Sequence, residues 1–206
     1  RRIDPRNSDV LALFSLLQSD ASLDTIYEAF KKQDALSLQL ILFLMSAHPE
    51  HIYGATSIKE MLERLGKSIL SQWILLLIYS KTATKATDES NPYTLFAQNR
   101  VSLMLHLLQL ASPHPSYELI ESARLIALYS LLEEQINLPM SEIVRILNPH
   151  QTIEDAMLAH VGILGRVFTA TLKIEANETI TASLLLKPYG VKIEQLEELA
   201  TTPSQP

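Results

Sequence analysis

Apolar stripes at helical spacing alternate with short polar breaks along the whole chain. Val10, Leu13, Phe14 and Leu17 fall at i, i+3, i+4 and i+7, which makes one face of a helix apolar. Leu23, Ile26, Tyr27 and Phe30 repeat that spacing and predict a second amphipathic helix over about 22–32. Asp34 is placed to cap the next helix. Its "ALSLQLILFLMSA" is apolar nearly all round and must be buried from several sides. A loop with Pro49 and Gly54 follows at 48–55. Ser57 and Glu60 then form a capping box, in which hydroxyl and carboxylate each satisfy an exposed backbone N–H. Ile58, Met61, Leu62 and Leu65 line that helix, Gly66 ends it, and a buried helix runs over about 67–82.

The stretch "TKATDESNP" at 84–92 is the most polar in the chain and reads as a mobile loop. Pro92 suits the first turn of a helix over 92–111, which stops before "SPHP". Ser116 caps a long helix to about 136. Pro139 opens a short helix through Leu147 with Ser141 as its cap, and Thr152 with Asp155 repeats the capping pattern after Pro149. The segment 160–174 reads as a helix whose Gly162 and Gly165 let a neighbouring helix approach closely. Two last helices fit 178–187 and 192–200. The fold class is all-α, a compact bundle of about a dozen helices.

Composition agrees with that pattern and narrows the chemistry. Five Gly and ten Pro in 206 residues are too few for the turns of a strand-rich fold. Zero Cys excludes disulfides, thiolate metal sites and Cys nucleophiles together, and fits a cytoplasmic location. A net charge of −6 without a basic stripe argues against a nucleic-acid partner. The longest greasy run, "ILSQWILLLIY" at 69–79, is broken by Ser71 and Gln72 and is far short of the roughly 20 residues of a membrane span. The opening "RRIDPRN" has no signal-peptide character and reads as a junction in a longer protein, with "TTPSQP" as a polar tail.

Candidate chemistry is sparse. His48 and His51 form H-x-x-H in "SAHPEHIYG", but Pro49 argues against one regular helix and no third or fourth ligand stands out nearby, so the loop is read without a metal. His106 reads as a half-buried packing residue on a Leu-rich helix. Glu133 and Glu134 are adjacent, diverge on a helix and read as a solvated end. Trp73 reads as a core residue. No Gly-rich phosphate loop and no G-x-S-x-G turn occurs, so no catalytic residue, cofactor-binding residue or cofactor is assigned.

The order of features in "LLQSDASLDTIYEAFKKQDALSLQLILFLMSA" and "SIKEMLERLGKSILSQWILLLI" resembles an HDOD domain, a helical relative of the HD-type phosphohydrolases. Asp34, the Met45-Ser46-Ala47 end of a buried helix, Ser57-Ile58 and Leu65-Gly66 carry the likeness. Met45 stands where relatives have Asn. "RLIALYSLLEEQINLPMSEIVRIL", followed by an Ile/Gly/Leu-rich helix and Glu175, resembles the version found behind EAL domains, which are cyclic-di-GMP phosphodiesterases or their inactive relatives. The resemblance covers most of residues 8–200 through many short matches. It implies a linker at 1–7, an N-terminal helical part at about 8–85, an HD-like part at 92–200 with a five-helix core over roughly 92–170, and a tail at 201–206.

The resemblance also locates a missing centre. An HD phosphohydrolase needs a His-Asp pair on a metal that activates water. None of the six His here precedes an Asp. Laid on the family's GLLHDIG, "ALYSLLE" puts Ser130 and Leu131 at the ligand positions. The earlier His that commonly precedes Arg-Val is also absent: "AQNRV" keeps Arg100 and Val101 behind Ala97, Gln98 and Asn99. The resemblance therefore implies a non-catalytic signalling module without a metal, with protein partners that include an upstream EAL-type domain, and without nucleic-acid or membrane partners. A phosphohydrolase with displaced ligands and an unrelated all-helical adaptor are the alternatives.

Overall fold

The computed structural model describes residues 3–84 and 92–201, and among them every regular element is helical. The polar loop expected at 84–92 lies almost wholly outside the described residues. Helices α1 (Asn7–Gln18) and α2 (Leu23–Lys32) follow their apolar stripes, with Val10 and Leu13 of α1 and Ile26, Tyr27 and Phe30 of α2 buried. Helix α3 (Asp34–Ala47) is buried from Asp34 through Ile41. Its two interior polar side chains have partners: Ser37 donates to the Phe30 carbonyl at 3.1 Å and Gln39 to the Ile3 carbonyl at 2.6 Å. Those bonds offset the cost of burying polar groups.

Asp34 does not cap α3. Gln33 holds the cap position without a side-chain bond, and the Asp34 carboxylate turns inward to Arg124 at 3.0 Å. Helix α4 (Ile58–Thr84) is broken at Gly66, whose φ of 75° lies in the left-handed region that favours glycine. The capping box before it forms with one shift. Ser57 accepts from the Glu60 N–H at 3.1 Å, while Glu60 accepts from the N–H of Thr56 at 2.9 Å. The second half of α4, expected to be a buried helix, is buried on one side only, since Leu75, Leu76 and Tyr79 are 50%, 64% and 75% exposed.

Helix α5 (Pro92–Ala111) precedes α6 (Tyr117–Ser130), which Ser116 caps by accepting from the Leu119 N–H at 3.2 Å. The helix expected to reach 136 stops at Ser130 and restarts as α7 (Leu132–Ile136). Helix α8 (Met140–Leu147) has no Ser141 cap; Glu133 accepts from the Met140 N–H at 3.2 Å instead. Helix α9 (Gln151–Glu154) is capped by His150, not by Thr152, and runs into a wide π turn at Asp155–Ala159. Helices α10 (Gly162–Glu175), α11 (Thr179–Leu186) and α12 (Ile193–Thr201) complete the chain.

Packing divides around α3 and α6. Helices α1, α2 and α4 pack on one another, and α3 joins them to α5 and α6. Helix α10 lies against α5, α6 and α11, and α12 closes the far side on α11. One contiguous core runs through all of them. Gly165 serves a closer neighbour than the helix expected: a Cβ there would collide with the backbone of His160, the residue that turns the chain into α10. No single helix among the described residues is long and apolar enough to cross a membrane.

Candidate functional site

The stretch at 124–135 forms the buried end of α6 and the start of α7. From Glu121 to Ser130 every α6 residue except Arg124 is buried. The break after Ser130 has a local cause. Its hydroxyl donates back to the Ala127 carbonyl at 2.7 Å, and the Leu131 N–H bonds to the Leu128 carbonyl three residues back. Such back-bonding competes with the regular ladder and bends helices. Leu131 is inside the core, as is Ala97 on α5, and neither offers a ligating atom.

A cation already fills this region. Arg100 projects from α5 between α6 and α10, and its guanidinium meets both oxygens of Glu175, through Nε at 3.0 and 3.1 Å and Nη2 at 2.7 Å. Nη1 donates to the Ser130 hydroxyl at 3.2 Å and, at a long 3.5 Å, to its carbonyl. The Phe96 ring, one turn back on α5, lies 4.7 Å from the guanidinium carbon. This planar fork matches the two oxygens of a carboxylate. Both Glu175 oxygens are thereby committed. The Ser130 hydroxyl is held between Arg100 and the Ala127 carbonyl, with no base beside it. The cluster is a polar latch across α5, α6 and α10.

A second polar layer ties the other end of α6 to the N-terminal helices. Tyr27 of α2 donates to the buried Glu121 carboxylate, and Arg124 reaches both Asp34 and the Lys31 carbonyl at 3.3 Å. Burial pushes the Asp34 carboxyl up to about 6, with Arg124 pulling the other way. Burial and the neighbouring Glu121 raise the Tyr27 phenol above its ordinary range.

The other candidates separate cleanly. Trp73 is core, stacked on Phe43 at 5.7 Å and Phe30 at 6.4 Å. Glu133 and Glu134 are exposed. His106 is exposed rather than half-buried. The loop reading of His48 and His51 needs one correction. Pro49 does end α3, but Pro49–His51 then winds into a 3-10 turn, and a third candidate ligand, the carboxylate of Glu50, comes within 3.5 Å of both imidazoles. Sequence reasoning missed Glu50, although it lies between the two histidines, because only the fold of the turn brings its carboxylate within reach of both. A 3-10 turn of three residues brings positions three apart onto one face.

No family model matches the chain, and no solved structure matches it at a significant level. The chain is similar to the uncharacterized protein YuxH of Bacillus subtilis (strain 168), with 24% identity over 174 residues. That match spans 84% of this chain but 41% of YuxH, so most of the relative lies outside it.

Proposed function

We propose that this chain is a non-catalytic, HDOD-like signalling module that acts through protein–protein contacts, as the regulatory part of a longer protein carrying an EAL-type domain. The observation that carries the reading is the Arg100–Glu175–Ser130 latch. On the alignment with HD enzymes this is where a divalent ion and its water-activating ligands would sit, and here a fixed positive charge is neutralised by the nearest carboxylate. A metal ion there would have to displace a buried guanidinium that is already paired with a carboxylate. The exposed Leu75, Leu76 and Tyr79 support a binding role, since apolar side chains that stand together on a surface mark interaction faces. The similarity to a relative more than twice as long as the matched stretch supports a module attached to other domains.

A phosphodiesterase assay on the 206-residue chain, with cyclic-di-GMP and model phosphodiesters and with Mn2+, Mg2+, Ni2+ or Zn2+ added, tests the reading. The expected result is no turnover above the metal-only blank, and no duplex DNA shifted at physiological salt. Deleting the module from a longer protein that carries it changes signalling output, because a module without chemistry acts by shifting its neighbour's conformational populations. Metal-dependent turnover above that blank would overturn the proposal in favour of a phosphohydrolase with displaced ligands.

A further inference from the structure

The turn between α3 and α4 holds two imidazoles and a carboxylate that the latch does not use. Their candidate ligand atoms all lie within 4.8 Å of one another. His48 Nδ1 and His51 Nε2 each stand 3.5 Å from the same oxygen, Glu50 Oε1. In a tetrahedral site with bonds of about 2.0–2.2 Å, neighbouring ligand atoms are separated by roughly 3.4 Å. Two of the three separations already have that size. We propose that His48, Glu50 and His51 bind a borderline divalent ion of the Zn2+ type, at a site separate from the latch.

The local fold arranges these groups. His48 leaves α3 with extended φ of −144°, and the His51 N–H returns to the His48 carbonyl at 3.1 Å, closing the 3-10 turn. That i,i+3 bond puts both rings on one side. The Phe43 ring meets His48 edge-on at 5.6 Å and is itself stacked on Trp73, so one ligand is oriented by the core. Arg64 donates to the carbonyls of His51 at 3.3 Å and Tyr53 at 2.8 Å, and the Gly54 N–H reaches the Asn148 carbonyl at 2.8 Å. The backbone beyond the site is therefore pinned before any ion arrives. The charge of Arg64 is itself paired with Glu60.

Ligand chemistry sets the class of ion. Two imidazoles with one carboxylate suit Zn2+, Ni2+, Cu2+ or Co2+ and are poor for Mg2+ and Ca2+, which take oxygen sets. His48, Glu50 and His51 are all partly solvent-exposed, so at least one coordination position stays open to water or to a side chain from a partner.

Isothermal titration of the untagged 206-residue chain with Zn2+, with Co2+ absorbance as a second readout, decides the matter. The expected result is one equivalent bound, unaffected by millimolar Mg2+. His48→Ala, His51→Ala and the isosteric Glu50→Gln each weaken binding by at least the roughly 10–100-fold that loss of an outer-shell partner costs a metal site. His106→Ala and Glu175→Gln leave it unchanged, which separates this site from the latch. Far-UV circular dichroism checks that every variant keeps its helix content. Failure of the wild type to bind one equivalent overturns the proposal. So does full retention of binding in His48→Ala, or an equal loss in His106→Ala.

Discussion

Glu175→Ala strands a guanidinium inside the protein, and the size of the penalty measures how buried the latch is. The Arg100 side chain is 9% exposed and that of Glu175 is 19% exposed. Glu175 supplies three of the five hydrogen-bond contacts that Arg100 makes in this cluster. Breaking a buried pair by removing one partner costs about 3–5 kcal/mol, against about 0–1 kcal/mol for an exposed pair. Glu175 is the more exposed partner, so the lower end applies, about 3 kcal/mol. Glu175→Gln keeps an acceptor but loses charge assistance, and about 2 kcal/mol is expected from the range for hydrogen bonds to charged groups. Arg100→Met with Glu175→Leu removes both charges while filling the space, and should fall close to the wild type. Urea unfolding, followed by far-UV circular dichroism and by fluorescence of the single Trp73, gives the free energies and tests two-state behaviour by coincidence of the two probes. A cost below about 1 kcal/mol for Glu175→Ala would show that water screens the pair. The reasoning from burial would then fail.

Three further outcomes follow from other buried groups. Asp34 has its carboxyl raised from 3.8 to about 6, so the folded state binds its proton more tightly than the unfolded state does. Its contribution to stability is therefore fully present below pH 3.8 and is lost as pH rises through about 6, a loss of about 3 kcal/mol. Asp34→Asn should flatten the stability profile between pH 4 and 6, and an unchanged slope in urea midpoints across that window would contradict it. Tyr129 is fully buried, its phenol raised by burial, and its hydroxyl has no hydrogen-bond partner among the described residues. Tyr129→Phe should leave the protein equally stable or stabilise it by about 1 kcal/mol, read as a higher melting temperature. Gly165→Ala should cost about 3 kcal/mol or more, because the new methyl meets the His160 backbone rather than a side chain that can move aside. A melting temperature equal to the wild type would refute the close approach.

Local signals in the sequence located most helices, and failures came where a distant residue decided the outcome. The stripes of α1 and α2, Pro92, Ser116 and Gly66 act within a turn or two of themselves, so spacing alone reads them. Asp34 has the composition of a cap, yet Arg124 lies 90 residues away and draws the carboxylate inward. Arg100 and Glu175 are 75 residues apart and carry no mutual pattern, so the latch is visible only after α5, α6 and α10 pack. The run at 69–79 is apolar without a period, and periodicity cannot say that its outer side stays exposed. The ends at Ile136 and Leu147 fall where the sequence reading put them, although Asn137 and Asn148, at φ of 54° and 41°, take the left-handed position usually given to glycine.

The polar contacts of α6 also constrain how a module of this kind would pass on a signal. Near its start α6 is tied to α2 and α3 through Tyr27–Glu121 and Asp34–Arg124, and at its end to α5 and α10 through Ser130 and Arg100. Sliding α6 would leave several buried charges unpaired at once, each at a cost of several kcal/mol, which exceeds the 1–3 kcal/mol typical of coupling between sites. A metal centre in the same place would be a removable joint, whereas the latch is a permanent one. On the proposed reading, regulation would therefore act at the periphery, where displacement is cheap. The exposed face of α4 and the turn at 48–51 meet there through shared core rings: Trp73 of α4 stacks on Phe43, and Phe43 packs against His48. On the proposed reading, a partner on α4 and an ion on the turn would bear on the same pair of rings.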